Sequence, residues 1–254
     1  IKNVANIIRT HSDRPLVLVI SAAGKTTNAL EEVVHAHYSQ NNPLEKLQGI
    51  KQFHYDLAES LCEDKYESTC TKLDLIFAEV EKWLGQPPAE NFDFFYDQIV
   101  SAGELLSTII VSDFLNKMGI LNQWMDARTL IRTDNTYREA KINWQLTPLK
   151  IREQVLPVLE QKHVLTQGFI GGTSEGFTTT LGREGSDFTA SIFAYSLDAE
   201  SVCIWKDVPG VLNADPRLFK TVSKLDFLSY RDAIEMTYYG AQVIHPKTIK
   251  PLQN

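Results

Sequence analysis

Leu16-Val-Leu-Val-Ile20, running without a break into Ser21-Ala-Ala-Gly-Lys-Thr-Thr-Asn28, is the stretch that sets the architecture. Five consecutive Leu, Val and Ile residues suit a strand buried on both faces, as parallel sheets require. Small residues follow at once, and Thr26, Thr27 and Asn28 then stand ahead of Ala29, Leu30, Val33 and Val34. That order predicts strand, tight turn and helix, with natural N-cap residues at the junction. Upstream, Ile1, Val4, Ile7 and Ile8 share one helical face, and Pro15 marks the end of that helix.

Downstream, Leu44, Leu47, Phe53, Leu57 and Leu61 and then Leu73, Ile76, Phe77, Val80 and Trp83 keep a helical period, which predicts a helical hairpin inserted over residues 40–90. Gly85-Gln-Pro-Pro88 breaks it, and helix resumes near Phe92, clearest from Gly103 to Gly119. Ile120–Met125 reads as a strand, 129–147 has no clear period, and Thr147-Pro148 opens a helix that Pro157 should start or kink. Six of the thirteen glycines lie between Gly168 and Gly185, so Val164–Gly168 and Thr178–Leu181 read as strands around a glycine-rich hairpin. Ser186 is placed to cap a helix carrying Phe188, Ile192, Phe193 and Leu197, and Ser201–Trp205 reads as a further strand. The alternation gives an α/β fold, a three-layer sandwich around a mainly parallel sheet, spanning 1–254 as one domain.

Composition narrows the function classes. Lys and Arg total 25 against 32 Asp and Glu, a net charge of −7, with no basic stripe for nucleic acid and no attraction to an acidic membrane surface. The longest purely apolar run, Leu16–Ile20, is far below the roughly 20 residues that span a bilayer. Cys62, Cys70 and Cys203 show no Cys-x-x-Cys spacing, as expected of a chain from the reducing cytoplasm. His35 and His37 point from different helical faces and no histidine has metal-ligand company, so no protein metal site is expected.

Ligands in α/β folds bind beyond the carboxyl ends of strands, and three segments follow such ends. Gly24-Lys25-Thr26 lacks the glycine that a Walker A loop needs five positions earlier, where Val19 stands; what is left is a helix N-terminus, either an anion site or a plain capped helix. In Leu181-Gly-Arg-Glu-Gly-Ser-Asp187, Arg183 can clamp a carboxylate or phosphate at a helix start, or the segment is a loop with ordinary capping. Glu104, in Ser101-Ala-Gly-Glu104, is crowded by Leu105, Leu106, Ile109 and Ile110 and wants a cation, whether a substrate ammonium or an internal Lys or Arg. Lys206, Asp207, Asp215 and Arg217 border a Pro-Gly turn suited to a nucleotide, or are solvated loop charges.

Taken together, Val19–Asn28, Ser101-Ala-Gly-Glu-Leu105, Gln167-Gly-Phe-Ile-Gly171, Thr178–Asp187, Trp205-Lys-Asp-Val-Pro-Gly210, Asp215-Pro-Arg217 and Glu235-Met-Thr-Tyr-Tyr-Gly-Ala-Gln-Val-Ile-His-Pro246 resemble the aspartokinases of the amino-acid kinase superfamily, in family order along nearly the whole chain. The resemblance implies transfer of the γ-phosphate of ATP, with Mg2+, to the β-carboxylate of L-aspartate in a cytoplasmic homodimer. It implies an aspartate site at Thr27, Glu104, Arg183, Glu184, Gly185 and Ser186, with Asp187 as the catalytic acid that organises the polar network. Lys206, Asp207, Leu212, Arg217, Gln242 and Val243 fall at nucleotide positions.

The chain also departs from the family pattern. The family's Lys-Phe-Gly-Gly-type opening strand and its carboxyl-terminal regulatory region are absent from this sequence, so this stretch alone is expected to be inactive. Gln242 stands where a lysine is common, with Lys247 or Lys25 as substitutes, and Glu184 replaces a usual glycine. Rival readings are another amino-acid kinase, acting on glutamate or acetylglutamate, and a non-catalytic nucleotide-binding or assembly module.

Overall fold

A computed structural model describes residues 1–11, 14–208, 210–215, 217–238 and 244–253. In chain order its elements are α1 (Lys2–Arg9), β1 (Val17–Ile20), α2 (Thr26–Tyr38), α3 (Pro43–Cys62), α4 (Tyr66–Leu84), α5 (Phe92–Val100), α6 (Ala102–Lys117), β2 (Asn122–Met125), α7 (Ala127–Leu130), α8 (Leu146–Leu159), β3 (His163–Gln167), β4 (Ile170–Gly172), β5 (Thr178–Thr180), α9 (Gly185–Leu197), α10 (Tyr230–Tyr238) and α11 (Pro246–Ile249).

β3 is the middle of a parallel sheet in the order β1-β3-β2, with Val17 opposite Val164 and Asn122 opposite His163. The all-apolar run of β1 alternates after all: Leu18 and Ile20 pack into the core beneath α2 to α6, and Val17 and Val19 into the core beneath α8 and α9. β3 divides the same way, with Leu165 on the first side and Val164 on the second. Apolar burial on both faces is what a strand between two helical layers needs, so the three-layer α/β reading stands. The helical stretch Phe92–Lys117 is long and apolar enough to cross a membrane, but its apolar window is wholly buried inside the protein, as the core helix of this fold.

Four local expectations are corrected. The hairpin around the glycines is β4 against β5, with Ile170 opposite Thr180, while β3 belongs to the parallel sheet. Its register needs a sharp exit from β3 that brings Gly168 against α9, where a Cβ would lie 2.4 Å from Ser186 Oγ. Ser186 therefore does not cap α9; Glu184 is the N-cap, in the left-handed region at φ 53°, without a side-chain cap bond. At α2 the N-cap is Lys25, and Thr26 Oγ1 instead donates to Ala23 O at 2.7 Å, tightening the preceding turn. Finally, Ser201–Trp205 forms no strand: Val202 and Ile204 are half-buried while Cys203 and Trp205 are exposed, so the alternation persists without a ladder partner among the described residues.

Candidate active site

The turn after β1 and the starts of α6 and α9 meet around a cavity of about 860 Å³ at the carboxyl end of the sheet. Thr27, Glu104, Arg183, Glu184, Gly185, Ser186, Asp187 and Lys206 all line it. Five carboxylates (Asp93, Glu104, Glu139, Glu184, Asp187) and three cations (Arg138, Arg183, Lys206) share its wall. A guest therefore has to bring positive charge or displace some of this negative charge.

Glu104 sits in the first turn of α6, 3% exposed, and its Oε2 is buried without a hydrogen-bond partner. Burial pushes its pKa up to about 8, against the opposing pull of the backbone N–H groups of Glu104 and Ala22. No Lys or Arg among the described residues meets it, so the internal cation that the sequence left open is not found there, and the carboxyl group lines the cavity with one oxygen buried and unpaired. Arg183 lines the same cavity, is exposed, and has no carboxylate partner among the described residues, so its fork is open to an anion.

At the start of α9 the carboxylate of Asp187 lies 2.7 Å from Lys206 Nζ, and Glu184 Oε2 lies 3.6 Å from the same nitrogen. Glu184 Oε2 also accepts from the backbone N–H of His245 at 2.8 Å. Lys247 Nζ donates to Leu181 O at 2.5 Å and stands 4.8 Å over the Phe188 ring; burial lowers its pKa. Asp207 is exposed beside Lys206 and off the cavity wall, Leu212 is half-buried in an isolated bridge to Lys224, and Arg217 is 81% exposed and paired with Asp215 at 2.8 Å. Gln242 and Val243 lie outside the described residues.

Sequence reasoning missed a second group of wall residues. Arg138, in the left-handed region at φ 65°, stacks 4.3 Å from the Tyr96 ring centroid and reaches Asp93 at 3.5 Å. Its backbone N–H donates to the fully buried Asp97, which also accepts from the Thr180 N–H at 2.8 Å and the Thr180 hydroxyl at 2.7 Å. Burial pushes the Asp97 pKa up to about 6 in spite of these three donors. Next along α5, Gln98 donates to Thr178 O and accepts from Thr178 N. A hint was present, since Asp97 and Gln98 are two polar residues inside an apolar helical run just before Ser101-Ala-Gly-Glu104. Arg138 lay in the stretch without a period and gave none.

Comparison with known proteins supplies the family context. The model of the amino acid kinase family matches residues 1–254. Lysine-sensitive aspartokinase 3 of Escherichia coli (strain K12) is 34% identical over 248 residues, which cover 97% of this chain and 54% of that protein. Aspartokinase 1, chloroplastic, of Arabidopsis thaliana is 33% identical over 261 residues, covering 98% and 45%. The crystal structure of E. coli aspartokinase III in complex with aspartate and ADP (R-state) superposes with a TM-score of 0.88 at 31% identity, over 97% of this chain and 54% of that one. The chain thus spans about half the length of the curated relatives it matches.

Proposed function

We propose, starting from the fact that the chain belongs to the amino acid kinase family, that it is the phosphotransferase portion of an aspartokinase, acting with ATP on the β-carboxylate of L-aspartate. The observation that carries the reading is the buried, unpaired Glu104 Oε2 on the wall that also presents the open Arg183. An amino acid has an ammonium for the first and a carboxylate for the second. Similarity to a structure that holds aspartate and ADP supports the choice of substrates.

The residues present account for the chemistry by position and charge. A β-carboxylate is ionised at neutral pH and needs no base. One of its oxygens forms the new bond to the γ-phosphorus, the bond from that phosphorus to the bridging oxygen breaks, and ADP leaves with the electron pair. Such transfers are accelerated mainly by in-line placement and charge neutralisation. Glu104 and Arg183 fix the amino acid by its two α-substituents, Thr27 and the α9 N-terminus (Gly185, Ser186) flank it, and Asp187 orients Lys206 toward the phosphate side. Among the described residues no three His, Cys, Asp or Glu side chains group into a metal site. Mg2+ prefers phosphate oxygens and water with one or two carboxylates, and Asp187, on the cavity wall, is the carboxylate that would hold it. Mg2+ would supply charge neutralisation on the phosphates. The rest of the reading is a cytoplasmic homodimer, with the three free thiols Cys62, Cys70 and Cys203 in keeping with a reducing compartment.

The test is ATP-dependent acyl phosphate formation by the full-length protein, trapped as the hydroxamate, with aspartate, glutamate and acetylglutamate at matched concentrations. Turnover of aspartate well above the others is the expected result; preference for either alternative, or nucleotide binding without turnover, overturns it. Arg183→Ala should raise the aspartate KM on the order of 10-fold or more while moving the ATP KM far less; equal effects would remove Arg183 from the aspartate site.

A further inference from the structure

We infer that Glu184 is a positioning residue for Lys206, not a substrate contact, and that the two form an ion-paired unit that fixes a lysine ammonium at the α9 end of the cavity for the nucleotide phosphates. The inference rests on the kinase reading above and assigns the roles of two side chains within it.

Three observations converge on Glu184. Its backbone lies at φ 53°, a region that L side chains adopt at a cost and that glycine takes freely. A non-glycine residue persists in such a conformation where its side chain is held by its surroundings, and here one carboxylate oxygen, Oε2, is held twice. It accepts the His245 N–H at 2.8 Å and faces Lys206 Nζ at 3.6 Å. The carboxylate is thus turned toward the segment that follows α10 and toward a lysine. A substrate carboxylate would be repelled by it.

Lys206 gains most from this arrangement. Its ammonium lies 2.7 Å from Asp187 and its side chain is only 23% exposed, on a loop segment without strand or helix. A flexible four-carbon stem loses substantial rotamer freedom when fixed at one point, and two carboxylates, Glu184 at the N-cap and Asp187 in the first turn of α9, define that point. The trio carries a net single negative charge, so what Glu184 contributes to phosphate binding is the placement of the ammonium, not added positive charge. Without Glu184, Lys206 would be neutralised by Asp187 alone and less firmly placed. Lys206 Nζ makes a close ion pair with Asp187 and a longer one with Glu184, and an ammonium with three N–H groups can still donate to an incoming phosphate oxygen.

The experiment uses the full-length protein with Glu184→Gln and Lys206→Met, singly and combined, and measures both KM values and MgADP affinity by calorimetry. Glu184→Gln keeps an amide oxygen for the His245 N–H, so the fold should be retained, and Lys206→Arg serves as the charge-preserving control. Expected is an increase on the order of 10-fold in ATP KM and MgADP Kd for either single variant, with the aspartate KM changed less than about 2-fold and the double variant no worse than Lys206→Met alone. Lys206→Arg should retain most of the nucleotide affinity. A raised aspartate KM in Glu184→Gln with an unchanged ATP KM makes Glu184 a substrate contact and overturns the inference. Fully additive effects in the double variant overturn it as well. A wild-type protein that forms no aspartyl hydroxamate refutes the kinase reading instead; the MgADP affinities of the same variants then decide, coupled losses supporting the unit and unchanged affinities overturning it.

Discussion

Around Glu104 the cavity wall is made of close-packed helix starts and strand ends, whereas the stretch from Ser201 to Ser229 has, among its described residues, a single isolated bridge and leaves Leu218, Phe219 and Phe227 78%, 57% and 87% exposed. The first region is organised before any ligand arrives: Gly103 sits against Ala22 and Thr26, Ser107 donates to Ser21 O at 2.8 Å, and Gly168 touches Ser186. Among its described residues the second meets the cavity through one long side chain, Lys206. A pre-formed pocket favours selectivity for a small acceptor, because the cost of ordering it is met on folding. The looser side suits a larger ligand bound mainly by charge.

The sharpest way to break this contrast is Asp187→Ala, which touches the junction of the two regions. It should lower kcat by roughly 10²- to 10³-fold with the circular dichroism spectrum unchanged; near-normal turnover would remove Asp187 from the catalytic list.

Glu104→Gln probes the pre-formed side next and should act in opposite directions on function and stability. Because burial raises this carboxyl from 4.5 to about 8, the native state binds the extra proton across that interval, so its ionisation costs stability progressively as pH rises from about 4.5 through 8. The variant should therefore be more stable than wild type above pH 8 in denaturant titrations, yet have an aspartate KM higher by about 10- to 100-fold. In the wild-type protein an ammonium guest favours the ionised form, so the aspartate KM should fall as pH rises from 6 toward 8, and the variant should lose that slope. A flat wild-type profile would argue that Glu104 does not meet the ammonium.

Gly168→Ala asks whether the wall is as tight as it looks. A Cβ 2.4 Å from Ser186 Oγ and 2.7 Å from Ser186 Cα cannot be accommodated without moving α9, so a loss of about 1–3 kcal/mol is expected in thermal or chemical unfolding. The smallest effect belongs to Phe227→Ser on the looser side, within about 0.5 kcal/mol of wild type; a large loss there would mean that this stretch is packed against something.

The layer order and the gathering of Thr27, Glu104 and Arg183 to Asp187 around one cavity were legible because they rest on local signals. A run such as Leu16–Ile20 is apolar on both faces, and small residues followed by Thr27, or Arg183 followed by Asp187, mark strand-to-helix junctions directly. What was not legible depends on partners far away in sequence. β4 is three residues long and is specified by pairing with β5 and by the bonds of Ile131 and Thr133 to Gly172, none of which has a local pattern. Asp97 takes its role from Arg138 and Thr180, 41 and 83 positions away. The strand expected at Ser201–Trp205 had the right alternation, but a strand also needs a neighbour to bond to, and composition does not show whether one is there.

The small hairpin of β4 and β5 has one further consequence. A two-stranded ribbon normally offers two raw edges, each able to template another strand. Here Ile131 and Thr133 close the β4 side through Gly172, while Asp97 and Gln98 of α5 accept the Thr180 and Thr178 amide protons on the other. Deuterium uptake at those two amides would thus report the docking of α5, since their exchange requires the helix to lift. The ribbon is in effect sealed by a helix's side chains, a guard against strand exchange between copies of the chain that costs the protein no additional strand.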